Sequence, residues 1–295
     1  MTPFQQLLHA TIRHVESLHD GGVSHLSVDP RLVKALQERP TPRVMAKPRS
    51  TSPKVTRAKP SPVVSTQADE PALALISGPE QSVAEKEAAM AHLRERALGC
   101  MKCPNLVKSR RHVVFGVGDI NADLMFVGEA PGVDEDAQGE PFVGKAGQLL
   151  TKIIQTMGLS REKVYIANVL KCRPDTPGRR YGNRKPSPQE MVTCRPYLME
   201  QIRCIRPRVL VGLGATAVEG LLGLSTVAIT RFRGEFRDLG GIPLMPTYHP
   251  SYVLRNQSHR VKRQIWEDML QVMTSLDMPI SEKQRGYFMS PPQAR

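Results

Sequence analysis

The sequence predicts an α/β fold in three layers, α/β/α, around a central four-stranded parallel sheet. Four short apolar runs read as strands: Asp123–Gly128, Lys163–Ala167, Arg208–Gly212 and Ile242–Tyr248. Segments of helical length and pattern lie between them, and strands alternating with helices build a parallel sheet covered on both faces. The third observation is the residue or turn at the end of each run: Glu129, Asn168, the Gly212-Leu-Gly214 turn and His249. Ligands of an open parallel sheet bind outside the carboxyl ends of its strands. A carboxylate, an amide and an imidazole that are far apart in sequence are therefore expected in one crevice.

Taken in order, residues 1–36 form an N-terminal segment in which Phe4, Leu7, Leu8 and Ile12 fall at helical spacing, with no assignable task. Residues 37–81 read as a disordered basic linker. Pro40, Pro42, Pro48, Pro53, Pro60 and Pro62 alternate with arginine and lysine, and few apolar side chains offset the entropy of ordering. Such a tether either adds loose phosphate contacts or is simply solvated. The folded domain is expected over residues 82–280. Its first helix runs from Ser82 to Ala97, with Glu85 and Glu87 suiting the helix start and Gly99 its end. Helices are then expected at 147–157, 189–204, 217–222 and 260–276, each after or before one of the four strands. A basic, proline-bearing loop fills 171–188. The chain after Asp277 reads as frayed, leaving 281–295 as a C-terminal tail.

The net charge of +13 points to a polyanionic partner, most simply nucleic acid, although a generally basic soluble protein has the same balance. No apolar run is long enough to span a bilayer, and the start lacks the basic-then-apolar order of a secretory signal. The expectation is a cytoplasmic, nucleoid-associated protein with reduced thiols and no membrane partner. Nothing demands an oligomer, so a monomer is expected. Aromatic residues make up only 5% of the chain, so the core must come from Val, Leu, Ile, Met and Ala.

Of five cysteines, Cys100 and Cys103 have the two-residue gap that lets two thiolates grip one metal or cluster, and Cys172 and Cys194 complete four ligands. Four thiolates suit Zn²⁺ or an iron–sulfur cluster, and spacing does not separate the two. Cys204 ends an apolar helix and reads as a small buried hydrophobe. A metal held by the four would staple the segment before the first strand to the loop after the second, because metal binding energy can be folding energy.

Gly128-Glu-Ala-Pro-Gly132 with Glu135-Asp136 and Gly139-Glu-Pro-Phe-Val-Gly-Lys-Ala-Gly147, then Asn168-Val-Leu-Lys-Cys-Arg-Pro174, then His249-Pro-Ser-Tyr-Val-Leu-Arg255, resemble in order the three motifs of the family 4 uracil-DNA glycosylases. The four cysteines match that family's ligands for a 4Fe–4S cluster. The likeness covers roughly residues 94–276 and leaves the first ninety outside. It implies a monofunctional glycosylase that excises uracil from single- and double-stranded DNA and leaves an abasic site for base-excision repair.

The resemblance assigns Glu129, Ala130 and Pro131 to the uracil pocket, with Phe142 stacking on the everted ring. Asn168 would read uracil, donating to O4 and accepting from N3–H, a pattern that cytosine reverses. His249 would face O2 and stabilise the charge left on the departing base, a donor worth about 3–4 kcal/mol. Ser251 would shape the loop or touch phosphate, while Val253 and Leu254 would enter the space the base vacates. Arg255, Arg179, Arg180 and Lys185, with the rest of the basic loop from Lys171, would track the phosphate backbone. Glu129 or Glu135 would orient water or stabilise the sugar cation. Glu135 would equally serve to wall off thymine's methyl group, and the water-activating base stays unassigned. Two other classes remain open. One is a non-catalytic binder of uracil-bearing or damaged DNA; a related branch that traps uracil-DNA covalently carries Gln in the first motif and a histidine in its arginine-rich loop. This chain has Glu129 and no histidine between Lys171 and Pro188. The other is a plain nucleotide-binding α/β protein, whose dinucleotide signal here is weak.

Overall fold

A computed structural model describes residues 81–176 and 183–289. The N-terminal segment, nearly all of the basic linker, Arg179 and Arg180 lie outside the described residues.

Six strands form one sheet: β1 (Val117–Gly118), β2 (Leu124–Gly128), β3 (Tyr165–Asn168), β4 (Val209–Leu213), β5 (Arg237–Leu239) and β6 (Ile242–Thr247), in the order β1-β3-β2-β4-β6-β5. The middle four, β3-β2-β4-β6, are parallel, as the four runs predict. The sheet is wider than expected because β1 and β5 add antiparallel edges. The β5–β6 hairpin turns on Gly240 and Gly241, whose φ values of 60° and 92° belong to glycine.

The helices are α1 (Val83–Leu98), α2 (Pro104–Ser109), α3 (Val133–Gln138), α4 (Lys145–Thr156), α5 (Pro188–Ile205), α6 (Ala215–Leu222), α7 (Ile229–Phe232), α8 (Pro250–Arg255), α9 (His259–Ser275) and α10 (Glu282–Gly286). Ser82 and Ser187 close capping boxes with Glu85 and Glu190, which fixes where α1 and α5 begin. Alternate residues of each strand enter opposite cores. Met125 and Val127 pack with Leu93 of α1, Leu198 and Ile202 of α5 and Leu221 of α6. Leu124 and Phe126 pack with Leu150 and Ile154 of α4 and with Ile265 and Met269 of α9. These two cores are the interfaces of the three layers, and strands buried on both faces are why the runs read as continuously apolar.

The C-terminal stretch differs from the frayed tail expected. The Trp266 Nε1–H donates to the Gln284 carbonyl at 2.5 Å, and Gln284 Nε2 donates to the Thr156 carbonyl at 2.8 Å. Arg263 donates to the carbonyls of Arg285 and Tyr287. A tryptophan on α9 needs both a cover and an acceptor, and α10 supplies them. No helix among the described residues is long and apolar enough to cross a membrane.

Candidate active site

Gly128, the last residue of β2, pairs with Asn168, the last of β3. A Cβ on Gly128 would lie 2.3 Å from Asn168 Oδ1 and 2.5 Å from Phe142 Cζ. The amide and the ring thus both close on a strand end that has no side chain. Asn168 is 2% exposed, and its Oδ1 accepts no hydrogen bond from the described residues. An orphaned buried acceptor costs about 1–3 kcal/mol, and a ligand donor relieves it.

Phe142 is held in the left-handed region, at φ 55°. That conformation costs a non-glycine residue roughly 1–2 kcal/mol, so something must impose it. Gly147 is one cause, since a Cβ there would lie 1.8 Å from the Phe142 carbonyl oxygen. Arg161 is another, donating to the carbonyls of Pro141 at 2.8 Å and Phe142 at 3.1 Å. Glu135 is the third. Its carboxylate accepts from the backbone N–H of Gly132 at 2.9 Å and of Val143 and Gly144 at 3.0 Å each. Both its oxygens are engaged in clamping the two halves of the first motif. It does border Gly132, where the wall against a methyl group was expected.

His249 caps the start of α8, and its ring centre is 5.8 Å from that of Phe142. The Ser251 backbone N–H donates to Nδ1 at 3.1 Å, with the Ser251 hydroxyl 2.8 Å from the same atom. A backbone N–H can only donate, so Nδ1 is an acceptor and the neutral ring carries its proton on Nε2. Burial, with a smaller contribution from the Arg255 cation, lowers its pKa to about 4. The imidazole is therefore neutral near pH 7. Gly214, at φ 92°, lets His249 sit against the end of β4, since a Cβ there would be 3.0 Å from His249 Cβ. Glu129 is half-buried beyond β2. Burial raises its pKa, and the Thr216 hydroxyl on α6 acts in the opposite direction.

The structure therefore brings Asn168, Gly128, Phe142, His249 and Gly214 into one connected row across the ends of four strands. Cys100, Cys103, Cys172 and Cys194 line a separate small cavity with Arg110 and Leu170. Arg110 Nη1 donates to Cys172 Sγ at 3.2 Å, and the Lys171 backbone N–H donates to Cys194 Sγ at 3.3 Å. Burial raises the Cys103 and Cys172 thiols and pushes Cys194 up to about 12. Among the described residues no three His, Cys, Asp or Glu side chains group closely enough to hold a single metal ion. Four thiols around one cavity, two of them met by N–H donors, are the kind of donor set that thiolate-held clusters use.

Residues 115–270 match the model of the uracil DNA glycosylase superfamily. The type-4 uracil-DNA glycosylase of Thermotoga maritima is 45% identical over 185 residues, covering 62% of this chain and 93% of its own length. That of Archaeoglobus fulgidus is 44% identical over 164 residues, 53% of this chain and 79% of its own. That of Saccharolobus solfataricus is 40% identical over 185 residues, 60% of this chain and 82% of its own. The chain belongs to the type-4 uracil-DNA glycosylases.

As a member of that family, the chain sorts its expected DNA-contact residues into two groups. Leu254, 38% exposed, and Arg255 face solvent, and Lys185 is exposed while pairing with the buried Glu219 at 2.7 Å. Val253 is 6% exposed and belongs to the core beneath α8, while the same helix turn presents Leu254 to solvent. Ser251 is spent on orienting His249. Pro131 is buried, with its carbonyl accepting from Asn183 Nδ2 at 3.3 Å, and Ala130 packs against the core under β2. Lys171 does not join the basic face and is buried. Arg161, Gly147 and Arg110 were not foreseen. Their value lies in what they hold, and nothing in their local sequence announces it.

Proposed function

We propose that this chain everts uracil from single- and double-stranded DNA and hydrolyses its N-glycosidic bond, leaving an abasic site. The observation that carries the reading is the unpartnered, buried Asn168 Oδ1, which lies against Gly128 beside the Phe142 ring, itself next to His249. Eversion costs a few kcal/mol, and stacking on Phe142 returns about 1–3 kcal/mol. Asn168 Oδ1 accepts from N3–H while its NH₂ donates to O4. Cytosine presents an acceptor at N3 and a donor at C4, which leaves both halves of the amide opposed. As the C1′–N1 bond breaks, negative charge gathers on the ring, and the His249 Nε2–H donates to O2. A neutral imidazole donor serves because the proton stays on the protein while the charge develops. Glu129, partly desolvated beside the same crevice, stabilises the positive character of the sugar.

Cys100, Cys103, Cys172 and Cys194 hold a 4Fe–4S cluster in this reading, with Zn²⁺ the lesser alternative. The cluster supplies no step of the reaction. It ties the segment before β1 to the loop after β3 and to α5.

The test is excision on uracil oligonucleotides, single-stranded and with a U·G pair. Free uracil and an alkali-labile site are expected. A gel-stable protein–DNA adduct in place of free uracil would establish the trapping reaction, and unaltered DNA would refute both. Asn168→Asp, which places a second acceptor against O4, should slow excision by about 10²-fold or more; an unchanged rate would remove Asn168 as the reader.

A further inference from the structure

Lys171 takes part in none of the roles above, and its position is costly. The side chain is 1% exposed, and an ammonium group buried without a carboxylate is strongly disfavoured. Its Nζ donates to two neutral acceptors: the Asn168 carbonyl at 3.0 Å and Gln201 Oε1 at 2.5 Å. The Phe115 ring centre is 5.9 Å away. Gln201, fully buried on α5, donates in turn to the Phe115 carbonyl at 3.0 Å and the Tyr165 hydroxyl at 3.1 Å. Packing alone would favour Met or Leu at such a place.

The geometry explains the lysine. Asn168 Oδ1 has no hydrogen-bond partner among the described residues, so the amide is aimed by its own backbone. On the β2 side that backbone is fixed by the strand pairing and its continuation, with Val169 N–H donating to the Gly128 carbonyl and Leu170 N–H to the Glu129 carbonyl, both at 3.0 Å. The Asn168 carbonyl itself is held by Lys171, which reaches back three residues and anchors it to α5 through Gln201. We propose that Lys171 is a positioning residue for uracil recognition, fixing the peptide from which the Asn168 amide projects. This rests on Asn168 as the reader of the base.

The test compares Lys171→Met with wild type in single-turnover excision, alongside KM for uracil-DNA and iron content. The expected result is a rate reduced by about tenfold or more, since sub-ångström to 1 Å displacements of a reacting group cost factors of that order. KM stays within about twofold and iron is retained. Lys171→Arg, which keeps the donors, should recover part of the rate. Gln201→Leu should lower the rate by a smaller factor at the same KM, and it decides the matter alone if Lys171→Met does not fold. A wild-type rate in folded Lys171→Met, or in Gln201→Leu when that variant stands alone, overturns the proposal. So does a rate loss that merely follows loss of iron, which would assign the lysine to the cluster's surroundings. If Asn168→Asp itself excises normally, the reader assignment has failed. If Asn168→Asp is slow and Lys171→Met is not, only the positioning role has.

Discussion

Gly128→Ala tests the site at its narrowest point. The glycine has no left-handed backbone angle, so alanine brings no conformational penalty, and one methyl group is the whole perturbation. That methyl would sit 2.3 Å from Asn168 Oδ1 and 2.5 Å from Phe142 Cζ, where ordinary contact begins at 3.4 Å. The amide and the ring must each retreat by about 1 Å, and neither is free to. Asn168 is fixed by its register with β2 and by Lys171, and Phe142 by Gly147, Arg161 and Glu135. Overpacking of this kind costs about 1–3 kcal/mol in stability. A misplacement of about 1 Å costs about 10²-fold in rate, equivalent to about 2.7 kcal/mol of activation free energy. The assay is single-turnover excision on a uracil oligonucleotide with a urea melt of the same preparation. Gly286→Ala, where an added Cβ meets nothing within 4 Å, is the control and should match wild type. A folded Gly128→Ala protein excising within about threefold of wild type would refute the idea that Asn168 and Phe142 together define the slot.

His249 sets the acid limit. Its folded-state pKa, about 4, lies below the ordinary 6.5, so the neutral donor is present above about 4 and is lost as pH falls through that value. Excision should be flat from pH 8 to about 5 and fall below it. Stability follows the same sign: the unfolded chain binds this proton first, so the contribution is complete above 6.5 and drains away as pH drops toward 4. A rate that already halves near pH 6.5 would show an ordinary, solvated histidine. Cys172→Ser should lower iron content and the brown absorbance of the purified protein, since thiolates hold such clusters; full iron content would exclude Cys172 as a ligand.

The parallel heart of the fold was readable because its four strands are buried on both faces and leave unbroken apolar runs. The edges were not. β1 is two residues, Val117 and Gly118, flanked by turn geometry, and β5 is Arg-Asp-Leu, which carries no strand pattern on its own. Neither has enough side chains to show a period. The short helices α2, α3 and α8, six residues each, fall below the length at which helical spacing can be seen. In the site, Asn168 and His249 stood out because each is in a motif at a strand end, and Phe142 because it lies in the motif that continues beyond β2. Gly128 and Gly147 sat in the same motifs, yet their roles were hidden, because an absent side chain acquires meaning only from the neighbours that fill its place. Lys171 was misread for the opposite reason. Sequence counts every lysine in a basic loop as solvated, and only the backbone path shows that this one turns inward toward the Asn168 carbonyl.

Two features of the crevice work against stability, and both point the same way. The left-handed Phe142 costs roughly 1–2 kcal/mol and the unpartnered Asn168 Oδ1 about 1–3 kcal/mol. The surrounding hydrogen bonds to Pro141, Phe142, Val143 and Gly144 hold the strain in place without relieving it. In the proposed site, uracil changes this balance selectively. Its N3–H gives Oδ1 the donor it lacks, and its face gives the fixed ring a stacking partner. Cytosine supplies the face but sets a lone pair at N3 against Oδ1, so the buried acceptor remains unsatisfied and now faces another acceptor. If Asn168 is the reader proposed above, discrimination begins in the free enzyme, which keeps one buried acceptor unsatisfied so that only a base carrying a proton at N3 satisfies it.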